Sequence, residues 1–182
     1  MQDHTDKELL LLFRNPDQKS YAFNLIVKKY QERLYWHIRK MIIVHDDADD
    51  LLQNTFLKAW KGLENFREES QIYTWLYRIA TNESLSFLKE KKKKFFLPFV
   101  DVESDLASRL EGDSYFNGDE AHLQLQKAIL NLPVKQRLVF NMRYFDEMKY
   151  EDMAKVLGTS EGALKASYHH AVKKIEKMLK SG

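Results

Sequence analysis

Along residues 19–42, KSYAFNLIVKKYQERLYWHIRKMI, apolar side chains recur at Phe23, Ile26, Val27, Tyr30, Leu34 and Ile38. Spacings of three and four residues put them on one side of an α-helix. Residues 46–63, DDADDLLQNTFLKAWKGL, repeat the pattern with Leu51, Leu52, Thr55, Phe56, Ala59, Trp60 and Leu63. Asp46 to Asp50 crowd its first turn, where unpaired backbone N–H groups favour negative charge. A short polar connection, ENFREES (64–70), follows. A third amphipathic helix is predicted from Gln71, with Ile72, Trp75, Leu76, Ile79 and Leu88 inward. It ends in Lys89 and Lys91–Lys94, a basic run that suits a helix C-terminus.

The period lapses over 95–122, FFLPFVDVESDLASRLEGDSYFNGDEAH, which holds a proline, two glycines and many Asp and Ser. It reads as a linker with a short helical turn near 103–110. Helical spacing then returns. HLQLQKAILNLP turns Leu125, Ile129 and Leu132 inward, and Pro133 both ends it and opens the next helix. VKQRLVFNMRYF buries Leu138, Val139 and Met142, and Tyr150–Leu157 buries Met153, Ala154 and Leu157. Gly158 supplies a left-handed turn, and Ser160 or Thr159 caps a last helix. Two helices joined so tightly cross steeply, which is a helix-turn-helix. In the last helix Leu164, Tyr168, Val172, Ile175 and Leu179 are predicted to pack. Gly162, Lys165, Ala166, His169, His170 and Lys173 form the opposite face. Its small residues admit a close backbone, and its Lys and His side chains can donate to phosphates or to base edges in a major groove. The expected fold is all-α: helical domains over 8–94 and 123–182, joined by an acidic linker over 95–122, the second domain a helix-turn-helix.

Composition narrows this picture. The chain has 182 residues, six glycines, three prolines and no cysteine. Disulfides and thiolate metal sites are excluded. His169 and His170 are neighbours pointing about 100° apart, whereas a helical zinc pair needs a spacing of four. Net charge is +2, but it divides into +3 over 1–94, −6 over 95–122 and +5 over 123–182. Two basic blocks around an acidic bridge suit a polyanion; a solvated surface would look the same by charge alone. The N-terminus has only a four-Leu apolar run with acids before it, so neither a signal peptide nor a membrane span is expected, and a cytoplasmic location is. The chain contains no glycine-rich phosphate loop and no His-Glu-x-x-His. The acids at 46–50 lack the central Gly and terminal Glu of a calcium loop. No catalytic residue, cofactor, metal or small-molecule substrate is expected.

Three segments, DADDLLQNTFLKAWKGLENF, TWLYRIATNESLSFLK and LPVKQRLVFNMRYFDEMKYEDMAKVLGTSEGALKASYHHAVKKIEKML, together resemble bacterial RNA polymerase sigma factors of the small, two-domain ECF (extracytoplasmic function) type. The resemblance implies binding to core RNA polymerase, recognition of minus-ten and minus-thirty-five promoter elements, assistance in strand opening and no covalent chemistry. It also implies an inhibitory anti-sigma partner. The first domain then matches region two and the second region four. Asp50, Leu51, Gln53, Asn54 and Phe56 fall where the family docks on polymerase, although Leu51 and Phe56 fit a core role as well. Phe66, Arg67, Glu68, Glu69 and Ser70 match the loop that captures a flipped base. Asn82 and Ser86 match positions that meet the non-template strand; relatives often carry a longer amide at Ser86. Ser160, Gly162, Lys165, Ala166, His169, His170 and Lys173 match the minus-thirty-five reading face, where many relatives have Arg at Lys165 and His170. Arg137 and Tyr150 would touch backbone nearby.

Physical reasoning on the same segments adds candidates. Unstacking a base costs a few kcal/mol, offset by a pocket and by aromatic faces on which other bases stack. Tyr73, Trp75 and Tyr77 lie in the right segment, with Trp75 equally suited to a core. Arg67, Arg78 and Lys89–Lys94 can meet phosphates, and the lysine run equally suits a solvated helix end. The acidic linker is expected to mimic DNA and keep the basic domains from random duplex. The competing reading, a stand-alone helix-turn-helix regulator, needs a sensor in the first block, which reads as all-helical.

Overall fold

The computed structural model describes residues 4–94, 99–116 and 118–181; the first four residues of the expected linker lie outside these. Among the described residues there are nine α-helices and no strand. The first module comprises α1 (Asp6–Arg14), α2 (Lys19–Ile42), α3 (His45–Gly62), a single 3-10 turn (Leu63–Asn65) and α4 (Ile72–Lys94). Then come α5 (Phe99–Glu111), α6 (Glu120–Leu130), α7 (Val134–Tyr144), α8 (Tyr150–Leu157) and α9 (Glu161–Ser181).

Helix α1 is a feature that hydrophobic spacing alone leaves unread. Its start is a capping box: the Thr5 hydroxyl accepts from the Glu8 amide, and the Glu8 carboxylate accepts from the Thr5 amide. That arrangement satisfies two amide donors at once. Leu9, Leu10 and Phe13 then bury against α2 and α3. In the module's centre Ile26, Leu34, Ile38, Leu76 and Ala80 are fully buried. Each large side chain so placed contributes roughly 1.5–3 kcal/mol.

The linker is more ordered than its composition indicates. Helix α5 extends well beyond the turn expected at 103–110. Leu106, Leu110 and Phe116 are buried with Ile43, Leu123 and Leu130. Ile43 itself closes α2 at φ 67°, a conformation that β-branched residues avoid; burial in this cluster holds it there. Arg39 pairs with Asp113, and Tyr115 stacks on Trp36 with ring centroids 4.0 Å apart. The linker is thus fastened to the end of α2 as a packed layer.

The two modules also share one core. Leu138, Val139, Met142, Met148, Met153, Val156 and Leu164 of the second belong to the same cluster as the interior of the first. Helices α7 and α8 lie against α2 and α4. The polar centre of this contact is Asp146, just past α7. Lys40 donates to its Oδ1 at 2.6 Å, and His37 Nδ1 donates to its Oδ2 at 3.2 Å. The other His37 nitrogen meets Thr81 Oγ1 at 2.8 Å. The Asp146 side chain is 6% exposed and His37 is fully buried. Burial pushes the Asp146 carboxyl up, but the bonds and charges of His37 and Lys40 outweigh it and leave it below the usual aspartate range.

Removing one partner of a buried ion pair costs about 3–5 kcal/mol, because the other charge is stranded. Here the stranded Lys40 can be re-solvated by module separation, which caps the cost. Asp146→Ala is therefore expected to open the molecule rather than unfold it. Scattering should show a larger radius of gyration while far-ultraviolet dichroism stays unchanged. Acid should act similarly. The folded-state carboxyl is depressed, so its stabilisation is present above about pH 4 and is lost as pH falls through the lowered value.

Candidate polymerase and nucleic-acid surfaces

Helix α3 presents a narrow outward strip. Asp50, Gln53 and Asn54 are exposed, and Leu57 beside them is 61% exposed. Leu51 is buried, and Phe56 packs edge-on to Phe23 at 6.2 Å. The structure separates the five residues into a presented group and a supporting group. Leu57 was not singled out from sequence, although it falls off the apolar stripe, four residues after Gln53. Leu57 adds an exposed aliphatic side chain beside these polar groups.

The segment Phe66–Ser70 links the 3-10 turn to α4. Phe66 packs on Trp75 at 5.1 Å. Trp75 lies so close to α3 that a Cβ on Gly62 would stand 2.9 Å from its ring. Glu68 has φ 56°. Cavities of about 850 and 490 Å³ are both lined by Phe66 and by Lys155 of α8. Asn82 and Ser86 are exposed along α4.

Several side chains expected at DNA are engaged within the molecule instead, two of them by the second module. Tyr73 donates to Asp152, and burial together with that bond pushes its hydroxyl up to about 12. Arg78 donates from Nε to the Lys155 carbonyl at 3.0 Å, filling an acceptor that the end of α8 leaves open. Tyr77 is buried against His37 at 4.7 Å. Lys91 pairs with Asp105 of α5 at 3.8 Å.

In the second module Gly158 has φ 63° and closes α8 in the left-handed region. Ser160, not Thr159, caps α9: its hydroxyl accepts from the Ala163 amide at 3.2 Å. Gly162, Lys165, Ala166, His169, His170 and Lys173 are all exposed on one face. Residues 165, 169 and 173 carry their donors along one ridge, about 6 Å apart. The packed side differs at its end from expectation: Ala171 is fully buried, while Leu179 is 45% exposed. Arg137 is also corrected. It is 2% exposed and donates to the Leu130 carbonyl at 3.5 Å, so it is interior and cannot touch a DNA backbone. Tyr150 is half-buried beneath Lys165, whose ammonium lies 5.6 Å from its ring. Among the described residues no group of three or more His, Asp or Glu is placed to hold a metal, and no helix is long and apolar enough to cross a membrane.

The chain is similar to known proteins over most of its length. Residues 26–94 match Sigma-70 region 2, and residues 122–175 match Sigma-70, region 4. The RNA polymerase sigma-H factor of Pseudomonas aeruginosa is 31% identical, over 96% of this chain and 93% of that protein. The ECF RNA polymerase sigma-E factor of Escherichia coli K12 is 28% identical, over 94% and 93%. Among solved structures, CnrH in complex with the cytosolic domain of CnrY superposes with a TM-score of 0.70 at 22% identity, covering 97% of each chain. RpoE of Bartonella quintana, solved with the anti-sigma factor NepR, gives 0.67 at 22% identity, covering 87% and 96%. These two likenesses concern the fold.

Gly62 tests the packing beneath the Phe66 loop. Gly62→Ala would press on the Trp75 ring and through it on Phe66. A loss of about 1–3 kcal/mol in urea unfolding is expected. A substitution that is neutral, with unchanged tryptophan fluorescence, would mean that the Trp75 ring is free to move.

Proposed function

The chain belongs to the ECF-type sigma factors of bacterial RNA polymerase, and from that premise we propose how its residues divide the work of promoter-specific initiation. The module over 8–94 docks on core polymerase through the α3 strip and captures the minus-ten element; the module over 123–182 reads the minus-thirty-five element with α9. Asp50, Gln53 and Asn54 make the polymerase contact, with Leu57 as its apolar centre and Leu51 and Phe56 as its support. Phe66 to Ser70 receive a flipped base, and Asn82 and Ser86 meet the displaced strand. Gly162, Lys165, Ala166, His169, His170 and Lys173 enter the upstream major groove, with Ser160 near the backbone. Tyr150, under Lys165, borders that face.

The observation that carries this reading is the exposed face of α9, set behind a glycine-closed turn and lined by four cationic or titratable donors together with two small residues, Gly162 and Ala166. Such a face lets a backbone approach DNA closely while donors reach base edges. Lys165 and His170 cannot make the planar double contact of Arg with guanine, so the preferred upstream sequence differs from that of Arg-bearing relatives. The closed arrangement puts Lys155 over the loop and ties up Tyr73 and Arg78. The modules therefore part when the chain loads on core polymerase. By extension from the Bartonella relative, solved with an anti-sigma factor, an inhibitory protein partner holds this chain back from polymerase. The chain works in the cytoplasm, beside polymerase, and contributes no covalent step.

The experiment that tests this is run-off transcription from a genomic library with core polymerase and the purified chain, followed by sequencing of the start sites. Starts that share two spaced upstream motifs are expected. Initiation no different from core alone would overturn the reading. Lys165→Ala should lower discrimination among upstream elements by about 1–3 kcal/mol. An equal loss on every sequence would instead put Lys165 on phosphate.

A further inference from the structure

We propose that α1 and the elbow that follows it form a clamp on the Phe66–Ser70 loop, with Arg14 and Lys19 as positioning residues that never touch DNA. This rests on the reading of that loop as the base-capture element. Helix α1 lies outside the region 2 match, which begins at residue 26. It nevertheless forms a wall of the larger cavity beside Phe66, through Asp6, Lys7 and Leu10.

Two ion pairs run from this N-terminal hairpin, one to the loop and one to the 3-10 turn that leads into it. Arg14 donates from Nη2 to Glu68 Oε1 at 2.7 Å, across 54 positions of sequence. Lys19 pairs with Glu64 in the 3-10 turn. Phe66 stands midway between the two clamped acids. The clamp has a rigid base. The capping box and the buried Leu9, Leu10 and Phe13 fix α1. Phe13 meets Trp60 edge-on at 5.5 Å, and the Lys19 ammonium lies over both rings.

The loop is what needs holding. Glu68 sits at φ 56°, a left-handed conformation that non-glycine residues disfavour. The loop is exposed on most of its length. Arg14 and Glu68 keep 52% and 41% of their side chains exposed, so their pair adds little to global stability. A short strained loop has alternative shapes close in energy. A weak pair suffices to select among those, even though it is too weak to hold a domain together.

The test uses the full chain assembled with core polymerase on a promoter carrying 2-aminopurine at the captured position. Arg14→Ala is expected to reduce the flipped-base signal roughly fivefold, the effect of an exposed ion pair at the upper end of its range. It should also flatten discrimination between the preferred base and a substituted one. Affinity for core and for an upstream duplex should stay within about twofold, as for an ordinary surface change. Arg14→Lys, which keeps a cation within reach of Glu68, should restore most of the capture. Unchanged capture in Arg14→Ala, failure of Arg14→Lys to restore it, or an equal loss of core and upstream binding would each overturn the clamp. Phe66→Ala separates the clamp from its premise. If that substitution leaves capture intact, the base-capture reading fails; if it abolishes capture while Arg14→Ala does not, the clamp alone fails.

Discussion

A carboxylate withdrawn from water and set between an ammonium and an imidazole governs how this molecule is assembled. Asp146 follows α7; Lys40 and His37 belong to α2. An isolated carboxylate in that place would be strongly unfavourable. With both donors in place the charge is compensated, and the compensation exists in one orientation of the modules only. Apolar contacts between helices tolerate sliding, whereas a pair of bonds to two fixed nitrogens does not. Once Asp146 is seated, α8 lies along α4. Asp152 then comes within reach of Tyr73, and the end of α8 within reach of Arg78. The apolar core supplies most of the attraction between the modules, and the Asp146 triad supplies its register.

That register gives several side chains two uses. Tyr73 and Arg78 sit in the segment suited to a displaced DNA strand, yet here they serve the second module. Lys155 lies over both cavities beside Phe66. By contrast, the α9 face and the α3 strip are open in the same arrangement. On the proposed division of roles, closing the molecule masks the strand-capture surface while leaving the polymerase-docking strip open. On that same proposal docking can precede opening, and capture waits for it.

Most of the architecture was legible because helices announce themselves locally. The stripes of α2, α3 and α8, the Gly158 stop and the Ser160 cap are each decided within a few residues, and each lies where its spacing predicts. Helix α1 was legible in principle, since Thr5 and Glu8 spell a capping box, but its apolar run is too short for periodicity to show. The linker misled because its acids and glycines signal solvent. Leu106, Leu110 and Phe116 carry a buried stripe that becomes visible only once Ile43 and Leu130 supply the other wall. Arg137 shows the limit more sharply. Its composition argues for phosphate, its place on α7 puts it inside, and only the packing decides. The Asp146 triad spans more than a hundred residues, so no local pattern could carry it. The candidate surfaces fared the same way: the exposed α9 face followed from spacing, and the engagement of Tyr73 and Arg78 did not.

The energy of closure must be small for the molecule to work. Moving a two-state equilibrium from one extreme to the other takes about 5.5 kcal/mol of differential binding, which a polymerase surface of ordinary size can provide. The buried triad helps to keep the balance near that range. Its charges lose hydration on closing and regain it on opening, so the attraction between them is largely offset. A purely apolar interface of the same extent would have no such return on opening and would hold the modules more firmly. A polar centre in the module contact thus gives orientation without excessive adhesion. A protein that must sit closed in solution and open on a partner requires both properties in the same contact.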